Sequence, residues 1–141
     1  TMIVGSCLAG IAFLKGLGLV HSISHMVGAE FDTHHGLTNA VLLPIVLRYN
    51  EAAIAGKVRT MSQTMGLETT DFEGFYAAIC AILDDCDIPR SLAEIGVETD
   101  EAGIQRLAAK AVRDAATGTN AAEAGVPEIA DLIRRSLVAA R

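Results

Sequence analysis

Apolar and polar positions alternate along this chain with helical spacing almost throughout. The first stretch, about 3–15, is apolar and reads as a buried core helix rather than a membrane span, because glycines punctuate it and Lys15 interrupts it. No basic segment precedes it, so a signal peptide is not indicated. Gly16-Leu17-Gly18 permits a break. A second helix over about 18–30 then puts His21 and His25 one turn apart on one face. Phe31 to His34 reads as a connector. From His35 an apolar run continues to Arg48, with Pro44 inside it, so a kink or a restart is expected there.

The second half is more polar. Asn50-Glu51 opens a helix to about Met65, with Gly66 as its C-cap. Thr69-Thr70-Asp71 fits an N-cap for a helix over about 70–83, whose apolar side carries Phe72, Phe75, Tyr76, Ile79 and Leu83. Pro89 and Ser91 mark a loop and a short helix that ends at Gly96-Val97. Thr99-Asp100-Glu101 starts a helix bearing Ile104, Leu107, Ala108, Ala111 and Val112 at helical spacing. A turn at Thr117-Gly118-Thr119-Asn120 follows, and Pro127 sits in the first turn of a last helix that runs to the end. No alternating β pattern, internal repeat or linker interrupts this series. The expectation is an all-α single domain, 1–141, of six to eight helices.

Composition narrows the class. A chain of 141 residues buries a core without disulfides or metals, and 51% hydrophobic residues with few aromatics suit small side chains between close helices. The net charge of −6 argues against nucleic acid as a partner. Cys7, Cys80 and Cys86 have no CxxC spacing and read as buried or half-buried thiols in a reducing, cytoplasmic compartment. A Cys80–Cys86 bridge is the weaker alternative.

The candidate chemistry is a cluster of histidines. His21, His25, His34 and His35 are all four of the chain's histidines. Neutral imidazole is the commonest metal ligand near neutral pH. One histidine on an apolar helix is usually a hydrogen-bonded structural residue, and there is no HExxH to indicate a zinc peptidase. Glu30 and Asp32 fall at a helix end and read as surface or capping residues.

The residues around the histidines carry a resemblance. The pattern GLxHxxxHxxGxxxxxxHGxxNAxxLPxVxxxN runs without a gap through Gly18, Leu19, His21, His25, Gly28, His35, Gly36, Asn39, Ala40, Leu43, Pro44, Val46 and Asn50. It resembles the signature of the iron-containing (group III) alcohol dehydrogenases, of the dehydroquinate synthase-like fold. The tail Ala115-Ala-Thr-Gly-Thr-Asn120 also resembles that family's C-terminal end. The implied fold is the family's all-helical C-terminal domain.

The resemblance implies the following roles. His21 and His35 match metal ligands. His25 matches a histidine facing the nicotinamide and substrate side, implicated in catalysis. His34 and Met26 stand where the family commonly has proline; His34 reads as a loop residue near the cleft, and both departures bear on the pocket's shape, so the family's substrate preference does not carry over. Lys15 and Gly16 receive no role. The family's two earlier ligands, an aspartate and a histidine, and its nucleotide-binding domain have no counterpart here, so the chain is expected to be the C-terminal part of a longer enzyme. The implied cofactors are Fe²⁺, with Zn²⁺ as alternative, and NAD or NADP in the full-length protein. The implied partner is a small alcohol or aldehyde; no membrane is expected as a partner, and a second copy of the chain is expected from packing, because the apolar face of residues 3–20 needs cover. The alone-standing 141 residues are expected to be inactive. The alternatives are a freestanding helical metal-binding domain using all four histidines and an interaction module in which they are structural.

Overall fold

The computed structural model describes residues 1–138. Among them are seven α-helices, α1 Met2–Ala12, α2 Leu19–Phe31, α3 His35–Tyr49, α4 Glu51–Thr64, α5 Phe72–Asp85, α6 Glu101–Ala111 and α7 Val126–Val138, with 3₁₀ turns at Phe13–Lys15, Ala93–Ile95 and Thr117–Thr119. The expected continuation of the last helix to the chain end lies outside the described residues. No strand occurs among the described residues, and the architecture is all-α as the spacing predicts.

Four helices make the core. α2 packs against α3, α6 and α7, and α6 lies along α7. Leu19, Ile23 and Val27 recur every fourth residue on α2 and are fully buried. They meet Val41 and Leu42 of α3, Leu107 and Ala111 of α6, and Ile129 and Ile133 of α7 in one cluster. α4 and α5 form a second layer that reaches the core through α3. There Arg48 of α3 lies over the Tyr76 ring at 4.1 Å and the Phe72 ring at 4.9 Å, and it pairs with Glu73. Of the five apolar side chains expected inward on α5, Phe75 and Leu83 are buried, while Phe72, Tyr76 and Ile79 are half-buried.

The caps follow from local chemistry. The Asp71 and Asp100 carboxylates each accept a backbone N–H three residues on, at 2.8 Å, and start α5 and α6. α4 has no such cap, because its N-cap residue Asn50 uses its side chain elsewhere. Gly66 at φ 73° follows the end of α4.

Three expectations need correction. α1 is not a core helix: none of its residues is buried, and Ile3, Val4, Leu8 and Ile11 are exposed. Its contacts run mainly to the 3₁₀ turn beside it, and the chain bends by 97° between that segment and α2, which carries α1 off the core. No single helix is long and apolar enough to cross a membrane. Of the kink or restart expected at Pro44, the restart does not occur: α3 runs through it with Pro44 buried, without the bond its missing N–H would have made. Cys7 and Cys86 are exposed rather than buried, Cys80 is half-buried, and all three thiols are free. Six residues separate Cys80 and Cys86, a rise of about 9 Å along a helix, beyond a disulfide's reach.

Candidate functional site

The start of α3 folds back onto α2 and brings three imidazoles together. The rings of His21 and His35 are 5.3 Å apart, those of His25 and His35 are 5.3 Å apart and stacked at 14°, and those of His21 and His25 are 6.0 Å apart. His21 and His25 are half-buried and His35 is exposed. Phe13 covers His21 edge-on at 5.6 Å. His34 is not part of the group. It stays in the connector, as expected, and its Nδ1 accepts the Leu37 N–H at 3.3 Å and caps α3, which takes that nitrogen out of a four-histidine site. Met26 packs against the core.

Asn39, one turn beyond His35, defines where the rings aim. Its Nδ2 lies 3.2 Å from His21 Nε2 and 3.1 Å from His35 Nε2. An amide NH₂ has two protons and donates one to each nitrogen, so both Nε2 atoms present lone pairs to one point. Each ring proton then sits on Nδ1. His35 Nδ1 donates to Ser24 Oγ at 3.3 Å, and that hydroxyl donates to the His21 carbonyl at 3.1 Å. His21 Nδ1 and Asn39 Oδ1 are buried without a partner among the described residues. Burial holds the His21 imidazole below its ordinary pKa, and the neighbouring His35 and His25 add to this against the opposing Asp114.

The third ring has a partner that the sequence did not reveal. His25 Nδ1 lies 3.0 Å from Asp114 Oδ2, and the other oxygen of Asp114 accepts the Ala116 N–H at 2.8 Å. Burial works against this carboxylate, but the Ala116 N–H and the His25 ring outweigh it and hold the carboxyl below its ordinary range. Asp114 follows α6, 89 residues from His25. No spacing rule links the two; the only hint was its place directly before the tail Ala115-Ala-Thr-Gly-Thr-Asn120.

That tail is fastened to the front of α2. The Leu17 N–H donates to Thr119 Oγ1 at 3.2 Å, and the Leu19 N–H donates to Asn120 Oδ1 at 3.1 Å. Gly16, assigned no role above, has one. Its φ of 104° disfavours any side chain, and a Cβ there would collide with the Thr119 side chain. Between tail and helix lies an open cleft of about 380 Å³, lined by Gly16, Leu17, His25, Asp114, Ala115, Ala116 and Thr119. Glu30, expected as a surface or capping residue, pairs with Arg106 and Lys110 and ties α2 to α6. Asp32 does cap α2, in the left-handed conformation at φ 54°.

Two imidazole nitrogens that flank the Asn39 amide suit a divalent cation of the iron or zinc type, which would take the place of that amide between them. Among the described residues no three His, Cys, Asp or Glu side chains are grouped to hold a metal. The nitrogen donors brought together here are the Nε2 atoms of His21 and His35.

Comparison with known proteins shows the family. The model of the Fe-containing alcohol dehydrogenase family, C-terminal, matches residues 1–137, and the chain belongs to that family. It is 36% identical over 138 residues to lactaldehyde reductase of Escherichia coli (strain K12), covering 93% of this chain and 36% of that protein. It is 37% identical over 142 residues to 1,3-propanediol dehydrogenase of Klebsiella pneumoniae, covering 96% of this chain and 36% of that protein. The alcohol dehydrogenase from Oenococcus oeni superposes with a TM-score of 0.79 at 27% identity, over 92% of this chain and 35% of that one. The chain thus spans about a third of the length of the relatives it matches.

Proposed function

We propose that these residues form the metal-holding, substrate-facing helical part of an NAD(P)-linked dehydrogenase that oxidises a small alcohol or reduces the matching aldehyde or ketone. The convergence of His21 and His35 Nε2 on one point beside His25 carries this reading. The names of the relatives, a lactaldehyde reductase and a 1,3-propanediol dehydrogenase, support a small hydroxyl or carbonyl substrate.

His21 and His35 would hold Fe²⁺ or Zn²⁺ together with ligands from outside these residues. When bound, such an ion supplies Lewis-acid polarisation of the substrate oxygen. Ser24 fixes the His35 ring through Nδ1, and Phe13 shields one side of His21. His25 lines the cleft and moves a proton at the ring nitrogen not engaged by Asp114. In this reading it also meets the nicotinamide. Leu17, Ala115 and Ala116 give this open cleft apolar walls.

The test is metal content and alcohol oxidation of the full-length protein, wild type against His21→Ala and His35→Ala. Loss of both metal and NAD(P)-linked turnover is expected in each variant. Full metal content in both would end this reading. The 141 residues alone are expected to show no turnover, and measurable activity would remove that expectation. Association with a second copy is the matching proposal for the uncovered apolar side of α1. Sedimentation at several concentrations decides it, and a strictly monomeric species counts against it.

A further inference from the structure

We infer that Asp114 is a positioning residue for His25: it fixes the proton on Nδ1 and leaves Nε2 as the acceptor offered to the cleft. This rests on the reading of His25 given above.

The argument starts from what a carboxylate can do. An ionised carboxylate only accepts, so the hydrogen bond at 3.0 Å requires the proton on His25 Nδ1. Neutral imidazole carries one proton, so Nε2 keeps its lone pair. Among the described residues Nε2 has no hydrogen-bond partner, while the ring itself lines the cleft. Which nitrogen of a histidine acts is set by the bond the other makes.

The carboxylate is itself held. The Ala116 N–H fixes its second oxygen at 2.8 Å. The backbone beyond it is fastened to the front of α2 through Thr119 and Asn120. His25 is pinned in turn by its stack on His35. Both partners are therefore oriented from two sides. Stability alone explains the contact poorly, since the His25 side chain is 38% exposed and that of Asp114 18%, and one hydrogen bond that water can reach adds little net stability. Its geometry is that of a carboxylate orienting an imidazole for proton transfer.

Two readouts on the full-length, Zn²⁺-loaded protein test this. With ¹⁵N-labelled histidine, NMR of the wild type is expected to show His25 as the Nδ1–H tautomer. Asp114→Asn has the same shape and keeps the Ala116 bond through its amide oxygen. Its NH₂ then faces His25, which is expected to switch to the Nε2–H tautomer. In that variant kcat should fall about 10²-fold with KM little changed. An Nε2–H tautomer in the wild type overturns the inference without any variant. So does an Asp114→Asn protein with unaltered tautomer or unaltered kcat. Should the protein oxidise no alcohol at all, the proposed function fails, while the tautomer measurement still decides the role of Asp114.

Discussion

Asn50 and Asn120 exchange side-chain hydrogen bonds across 70 residues of sequence: Asn120 Nδ2 donates to Asn50 Oδ1 at 2.7 Å, and Asn50 Nδ2 donates back to Asn120 Oδ1 at 3.1 Å. The pair reaches further. Asn120 Oδ1 also receives the Leu19 N–H, and Asn120 Nδ2 also donates to the Ala122 carbonyl at 2.8 Å. One amide thus joins the α3–α4 junction, the tail after α6 and the first turn of α2.

Asn120→Ala strands several part-buried polar groups at once and is expected to cost about 2–3 kcal/mol. Urea unfolding of the variant measures it. A loss below about 0.5 kcal/mol, the range of ordinary surface substitutions, would show that water replaces the network.

Gly16→Ala should cost more than Gly66→Ala. Both positions have positive φ, but a Cβ at Gly66 meets nothing within 4 Å, whereas at Gly16 it meets Thr119. Gly16, at φ 104° and ψ 162°, sits where only glycine is at ease, a strain of about 1–3 kcal/mol for another residue, and it adds a collision that loosens the cleft wall. Equal melting-temperature losses in the two variants would contradict this.

Ile23 is fully buried on the helix that carries His21 and His25. Ile23→Val is expected to cost about 0.5–1.5 kcal/mol and Ile23→Ala about 2–5 kcal/mol, the larger loss reflecting the cavity left behind. Denaturant midpoints rank the two. An alanine variant as stable as the valine variant would mean that α2 collapses onto α6 without a void.

The hydrogen bond from Arg106 holds the Glu30 carboxyl below its ordinary value of 4.5, against a smaller opposing effect of burial and with help from Lys110. A carboxyl with a lowered folded pKa adds stability that is complete above 4.5 and disappears as pH falls through the lowered value. Wild type should therefore exceed Glu30→Gln in stability at pH 7, and the small gap should close below pH 4.5. A gap that is constant between pH 7 and pH 3, followed by unfolding midpoints, would show that the pair contributes nothing through ionisation.

Periodicity was enough to find the helices, because α2, α3, α6 and α7 bury an i, i+3, i+4 stripe and α5 and α6 begin at an aspartate cap. It was also enough to place His21 beside His25, one turn apart. The juxtaposition of His35 with both came from the resemblance, since no local rule says how α3 folds back on α2. Asp114 was invisible because its partner lies 89 residues away, and such contacts leave no trace in spacing. Gly16 was passed over for the same reason, since the tail that presses on it comes a hundred residues later. The apolar composition of α1 misled in the other direction. Hydrophobicity states that a helix seeks cover, not that these 141 residues supply it.

The exposure of α1 has a kinetic side. Its side chains make no part of the core built by α2, α3, α6 and α7, so the barrier to forming that core contains nothing of α1. Substitutions on α1 should leave the refolding rate where it is. The surface of that helix is therefore free to be rewritten by selection for whatever it meets, without slowing the assembly of the histidine cluster beside it.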